Sequence, residues 1–137
     1  DRLGLTRKTM IFFANDNGGH EFGTNNAPLR GFKNSLYEGG VRVPFSITWP
    51  GKIKKGQRSD KLVSLFDIYP TVQAAANVPS KHRNRKLQGI DLVPHVRLVG
   101  SKAPEKSGGT HKFLCNRKHT AFGTIVQGHW KLWLDKK

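Results

Sequence analysis

The apolar run "TMIFFA", Thr9 to Ala14, constrains this chain more than any other feature. Polar and apolar residues do not alternate in it, so a strand made of it has no face for water. Such a run suits the middle of a parallel sheet, buried on both faces. A strand of that kind needs neighbours on both sides, and the sequence offers few. "VPFSITWP", Val43 to Pro50, is a second apolar run, rich in β-formers and bounded by prolines. Between the two, from Asn15 to about Arg42, the chain is thick with Gly, Asn and Pro. A loop that long without structure of its own is unusual unless it is functional. The pattern reads as part of something larger.

Downstream, the best helical pattern follows the exposed basic loop "GKIKKGQRSDK". Asp67 is placed to cap it, Pro70 is tolerated in its first turn, and Leu65, Tyr69, Val72 and Ala76 fall on one face. Val78-Pro79 ends it. "LQGIDLVPHV" reads as a loop followed by a short apolar turn. Residues 100 to 109 shift to Ser, Lys, Gly and Pro, the composition of a linker. "TAFGTIVQGHWKLWL" resembles two strands turning around Gln127-Gly128. The 137 residues suffice for one ordinary domain.

Charge bounds the partners. Lys and Arg number 24 against 9 Asp and Glu, a formal net charge of +15. That surplus favours polyanions: nucleic acid, sulfated glycans or an acidic membrane surface. The plain alternative is that the basic runs Lys52 to Lys61 and Lys81 to Lys86 are solvated loops. The single cysteine, Cys115, excludes an internal disulfide framework. Beside Arg117 and Lys118 it could be a reactive thiol; a small half-buried residue is the default. No stretch approaches the roughly 20 apolar residues of a membrane span. "DRLGLTRKT" lacks the apolar core of a signal peptide, and no Asn-x-Ser/Thr site occurs. His111, His119 and His129 do not fall at zinc spacings. Trp130 and Trp133 are expected to pack a small sheet rather than bind sugar.

The chemistry concentrates after the first strand. In open α/β sheets, ligands collect at the carboxyl ends of strands, where Asp16 and Asn17 stand. A carboxylate and an amide oxygen are hard ligands suited to Ca²⁺ or Mg²⁺. Gly18 and Gly19 let the backbone turn sharply and a substrate approach. The alternative is an ordinary turn with Asx hydrogen bonds. His20 is a candidate for reaching a substrate, against the reading of a solvated loop histidine.

Several motifs then occur in one order: Asp16-Asn17-Gly18, Leu29-Arg30-Gly31-Phe32-Lys33, Tyr37-Glu38-Gly39-Gly40-Val41-Arg42-Val43-Pro44 and Trp49-Pro50-Gly51. In these the chain resembles the type I sulfatases, formylglycine-dependent sulfuric ester hydrolases of alkaline-phosphatase-like α/β fold. The resemblance continues through "SDKLVSLFDIYPTVQAAANVP" and "LQGIDLVP", and resumes at "IVQGHWKLW", similar to the family's closing hairpin. It implies that Asp16 and Asn17 ligate a divalent cation, usually Ca²⁺, and that Lys33 contacts the substrate sulfate. A compact ammonium there would neutralise a sulfate oxygen while the cation polarises the others. Glu38 and Arg42 are expected to hold the loop together, as an ion pair.

The family's nucleophile is a formylglycine made from Cys or Ser within Cys/Ser-x-Pro-x-Arg. Cys115 is followed by Asn116, Arg117 and Lys118, and no serine fits the pattern. The paired Asp residues completing the metal site, and the upstream Lys and His, are absent too. The resemblance is therefore to a C-terminal half, and its implied partner is a missing N-terminal half. Residues 1–99 would be the C-terminal part of the sulfatase core with the metal and sulfate loop. Residues 100–137 would be a linker and the start of a small C-terminal subdomain with a terminal hairpin. Alone, such a chain is not expected to turn over sulfate esters, whether simple or on sulfated glycans. The alternative function is a non-catalytic basic module binding sulfated glycan or nucleic acid. By family resemblance the expected compartment is secreted, lysosomal or periplasmic.

Overall fold

The computed structural model describes residues 2–83, 87–97, 113–116, 122–127 and 130–135. They fall into two compact units, one of residues 1–13 and 46–108, the other of 14–45 and 109–137.

β1 (Ile11–Ala14) and β2 (Phe45–Thr48), which belong to the first unit except for Ala14 and Phe45, are hydrogen-bonded neighbours in a two-stranded sheet. Both lie where the apolar runs place them. The expectation that β1 is buried on both faces is not met: Ile11 is 57% and Phe13 62% exposed. The reason is a shortage of neighbours, since β2 is the one strand beside β1 among the described residues.

A 3-10 turn, Leu65–Asp67, runs into α2 (Ile68–Ala75), which α1 (Glu38–Val41) precedes in chain order. Its cap differs from the sequence expectation. Ser64 Oγ accepts from the Phe66 N–H, and the Asp67 carboxylate reaches back to the Ser64 N–H at 2.8 Å, forming a capping box. Asp67 is thus the reciprocal partner one turn inside, and it is fully buried. Its other oxygen accepts from the Ile90 N–H at 2.9 Å. The buried Thr71 hydroxyl donates to the Asp67 carbonyl and accepts from the Leu92 N–H at 2.9 Å. A Cβ on Gly89 would overlap the Phe66 carbonyl oxygen, so the two segments touch backbone to backbone.

The inward face of the helix is therefore polar and satisfied, with Leu92 and Val93 as the buried apolar residues at the start of α3 (Val93–Arg97). Leu65, Tyr69, Val72 and Ala76, expected as the packing face, are exposed. Periodicity located an amphipathic helix, but buried hydrogen bonds to residues 90 and 92 turn the other side inward. The helix stops just before Val78-Pro79, through a Schellman ending. Asn77 takes φ 53°, its N–H bonds Ala74 O, and the Val78 N–H bonds Gln73 O, both at 3.0 Å.

In the second unit, β3 (Phe113–Asn116), β4 (Phe122–Gln127) and β5 (Trp130–Asp135) form an antiparallel sheet in that order. Cys115 pairs with Thr124, Thr124 with Trp133, and Gln127 with Trp130. The expected hairpin around residues 127–128 is present; β3 is a third strand that the sequence reading lacked. The linker at 100–109, His111, His119, His129, residues 84–86 and the side chain of Cys115 lie outside the described residues. No described helix is long and apolar enough to cross a membrane.

Candidate functional site

The glycine-rich loop is not structureless. Its backbone folds on itself: Gly18 N–H bonds Gly40 O at 2.9 Å, Lys33 N–H bonds Gly19 O at 2.9 Å, and Gly39 N–H bonds Arg30 O at 2.8 Å. At the centre is Asn26. Its Nδ2 lies 3.1 Å from the carbonyl oxygens of Gly19, Gly31 and Gly39, and its Oδ1 accepts from the Gly19 N–H at 3.3 Å. An amide has two N–H protons, so three carbonyls share them and one side chain clamps three passes of the chain.

The passes come close enough to demand glycine. A Cβ on Gly18 would overlap the Gly39 carbonyl oxygen, and one on Gly39 would overlap the Gly31 carbonyl. Gly31 itself has φ +88°, in the left-handed region that L side chains rarely adopt. The glycines read as giving room to a substrate thus serve first the approach of backbone to backbone.

On this frame stand the residues singled out from the sequence. Asp16 is exposed, and no described residue bonds its carboxylate. Asn17 is half-buried; its Nδ2 donates to the Gly18 carbonyl at 3.0 Å, which leaves Oδ1 as an acceptor. Lys33 is exposed, and its ammonium has no ion-pair partner among the described residues. The loop brings Lys33, through its N–H on Gly19, beside the turn that carries Asp16 and Asn17. His20 is exposed but locally oriented. Its Nδ1 accepts from the Phe22 N–H at 3.3 Å, and the two rings lie 5.4 Å apart. That bond assigns the proton of the neutral imidazole to Nε2.

The expected Glu38–Arg42 ion pair is absent. Arg42 is exposed and meets Glu38 through backbone alone, its N–H on the Glu38 carbonyl at 2.8 Å. α1 is a single turn, and from it the Glu38 carboxylate instead takes Lys131 Nζ at 2.8 Å. By side chain Lys131 is 17% and Glu38 43% exposed, so the pair is shielded on the lysine side and open to solvent on the other. The neighbouring Tyr37 ring lies 4.1 Å from the Arg30 guanidinium and 4.8 Å from the Trp133 ring. Lys131 Nζ lies 5.4 Å from that same indole. Trp133 thus rests on Tyr37 while staying 44% exposed, and Trp130 is 84% exposed, so neither indole is buried in the sheet.

Sequence reasoning assigned no role to Asn26 or Lys131 and named Tyr37 only as a motif residue. No local signal separates Asn26 from Asn25, and Lys131 lies 93 residues from its partner. Chemically, the loop presents a carboxylate and an amide oxygen for a hard cation and an ammonium for an oxyanion. Among the described residues no three His, Cys, Asp or Glu side chains gather as a metal cluster.

A family model described as Sulfatase matches residues 1–78. Mouse steryl-sulfatase is 37% identical over 71% of this chain and 17% of its own length. Human steryl-sulfatase is 33% identical over 97% of this chain and 24% of its own. The solved structure of Ps i-CgsB in complex with k-i-k-neocarrahexaose superposes with a TM-score of 0.78 at 33% identity, over 97% of this chain and 29% of that one. The chain thus spans about a fifth of the length of the curated relatives it matches.

Proposed function

The chain belongs to the sulfatase family, with its alkaline-phosphatase-like fold, and on that premise we propose that it carries part of the cation and sulfate site of a sulfuric ester hydrolase. The observation that supports this most is the 2.9 Å bond from the Lys33 N–H to Gly19 O. It joins a cation to the turn bearing a carboxylate, both without an ion-pair partner among the described residues, across 14 residues of sequence. Asp16 and Asn17 are the ligands for Ca²⁺, Lys33 binds the sulfate group of the ester, and His20 is a further substrate contact through Nε2–H.

The donor set fits a hard divalent cation in type, with oxygen atoms only. It supplies two of the about six to eight oxygen ligands that Ca²⁺ takes, the remainder coming from water or from the partner segment. When bound, the cation supplies charge neutralisation and polarisation of the sulfate oxygens. The chain's own residues bind and orient: Lys33 offsets the anion's charge, and Asn26 keeps Lys33 and Asp16 on one rigid frame.

The nucleophile, a formylglycine, is assigned to a partner segment bearing Cys/Ser-x-Pro-x-Arg, a pattern this sequence lacks. In this assignment residues 1–99 are the C-terminal part of the sulfatase core, and residues 100–137 a linker leading into the small C-terminal subdomain. Sulfated glycans are the substrate class we favour, given the neocarrahexaose in the structural neighbour.

The test uses the 137-residue chain with a chromogenic aryl sulfate and with Ca²⁺ titrated calorimetrically. No turnover is expected, together with weak Ca²⁺ binding that disappears in Asp16→Ala. Hydrolysis by the chain alone, or Ca²⁺ binding indifferent to Asp16→Ala, would overturn the proposal.

A further inference from the structure

Part of the positive charge is gathered around one tryptophan. Trp49 follows β2, and its indole N–H donates to the Arg7 carbonyl at 3.2 Å. The Trp49 carbonyl accepts from Lys52 and Ile53 N–H at 3.0 and 2.9 Å. Lys52 Nζ sits 6.0 Å from the Trp49 ring, and the aliphatic part of Arg7 lies against Gly51. One indole therefore joins two basic segments far apart in sequence, Arg7-Lys8 at the end of a 3-10 turn and the loop of Lys52, Lys54 and Lys55. All five cations are exposed, and none is ion-paired to a described residue. The stretch 50–59 contains no acidic residue to offset them.

From this we infer that the Trp49-joined face is a binding surface for a sulfated polysaccharide, separate from the loop of Asp16 and Lys33. The choice of sulfated over phosphorylated polymer rests on the sulfatase reading above and on one further observation. Single-stranded nucleic acid is held by exposed aromatic rings that stack bases. Segments 2–8 and 50–59 contain no aromatic residue, and Trp49 is half-buried with its N–H already engaged. The face offers charge without a stacking platform, which disfavours single-stranded nucleic acid and leaves duplex DNA as the competitor that the experiment tests.

The experiment measures binding of the full chain to heparin, as probe, and to double-stranded DNA, across a salt series in chelator. Neither turnover nor calcium enters the readout, so failure here and failure of the sulfatase reading are separately visible. Lys54→Gln/Lys55→Gln should lower the slope of log affinity against log salt by roughly 2. Affinity at about 0.15 M salt should fall roughly tenfold. Arg42→Gln/Lys81→Gln removes the same charge elsewhere and should change it less than about twofold. Trp49→Phe removes no charge but frees Arg7, and should weaken heparin binding several-fold with the far-ultraviolet spectrum unchanged. Equal losses in the two double variants, an unaffected Trp49→Phe, or tighter binding to DNA than to heparin would each overturn the inference.

Discussion

The Asp67 carboxylate is fully buried and accepts N–H bonds from Ser64 and Ile90 at 2.8 and 2.9 Å. The Asp16 carboxylate is exposed on the glycine-rich loop, and no described residue bonds it. Both come within two residues of an apolar run and both stand in motifs shared with the family, so sequence position does not separate them. Their surroundings do. A carboxylate whose lone pairs are taken by backbone N–H groups is committed to the fold, while one left open on a rigid frame is available to a ligand. The rigid frame is the shared element: Asp67 holds its own segment in place, and Asn26 does the same for Asp16.

The contrast is broken most severely at Asp67. Asp67→Ala leaves the Ser64 and Ile90 N–H groups unpaired in a buried site and should cost about 3 kcal/mol or more. The midpoint of urea unfolding measures it; a loss below about 1 kcal/mol would put Asp67 on the same footing as any surface carboxylate. Next is Asn26→Ala, which strips three carbonyls of their donor and should cost about 2 kcal/mol in the same assay. Asn26→Asp keeps the shape but turns oxygen toward those carbonyls, so it should be no milder. The smallest effect is expected at Asp16. Asp16→Asn should shift stability by no more than about 0.5 kcal/mol, because nothing described depends on its charge. A larger loss would mean the carboxylate has a structural partner.

Much of the architecture was legible in the residues. The two apolar runs became β1 and β2, the helix after Ser64 formed, and the hairpin around residues 127–128 is paired. The motif order pointed to the family that the comparisons show. Hidden were the features that depend on what lies far away in sequence. Hydropathy marks Tyr69 and Val72 as a packing face, but it does not register that Asp67 and Thr71 find backbone partners at residues 90 and 92. It likewise offers Arg42 as the nearby cation for Glu38, whereas β5 delivers Lys131. At the site, Asp16, Asn17 and Lys33 could be named because their types are chemically unusual together. Asn26 could not, since its role comes entirely from three carbonyls that only folding brings around it.

The stack of Arg30, Tyr37 and Trp133 has a practical consequence. Indole emission responds to nearby charge and to aromatic neighbours, and Trp133 has both, Lys131 Nζ at 5.4 Å and the Tyr37 ring at 4.8 Å. Any loosening of the glycine-rich loop would change the light it gives out. The molecule carries its own optical gauge of whether the Glu38 turn is seated, read as the difference in emission that Trp133→Phe removes from the sum of the three tryptophans.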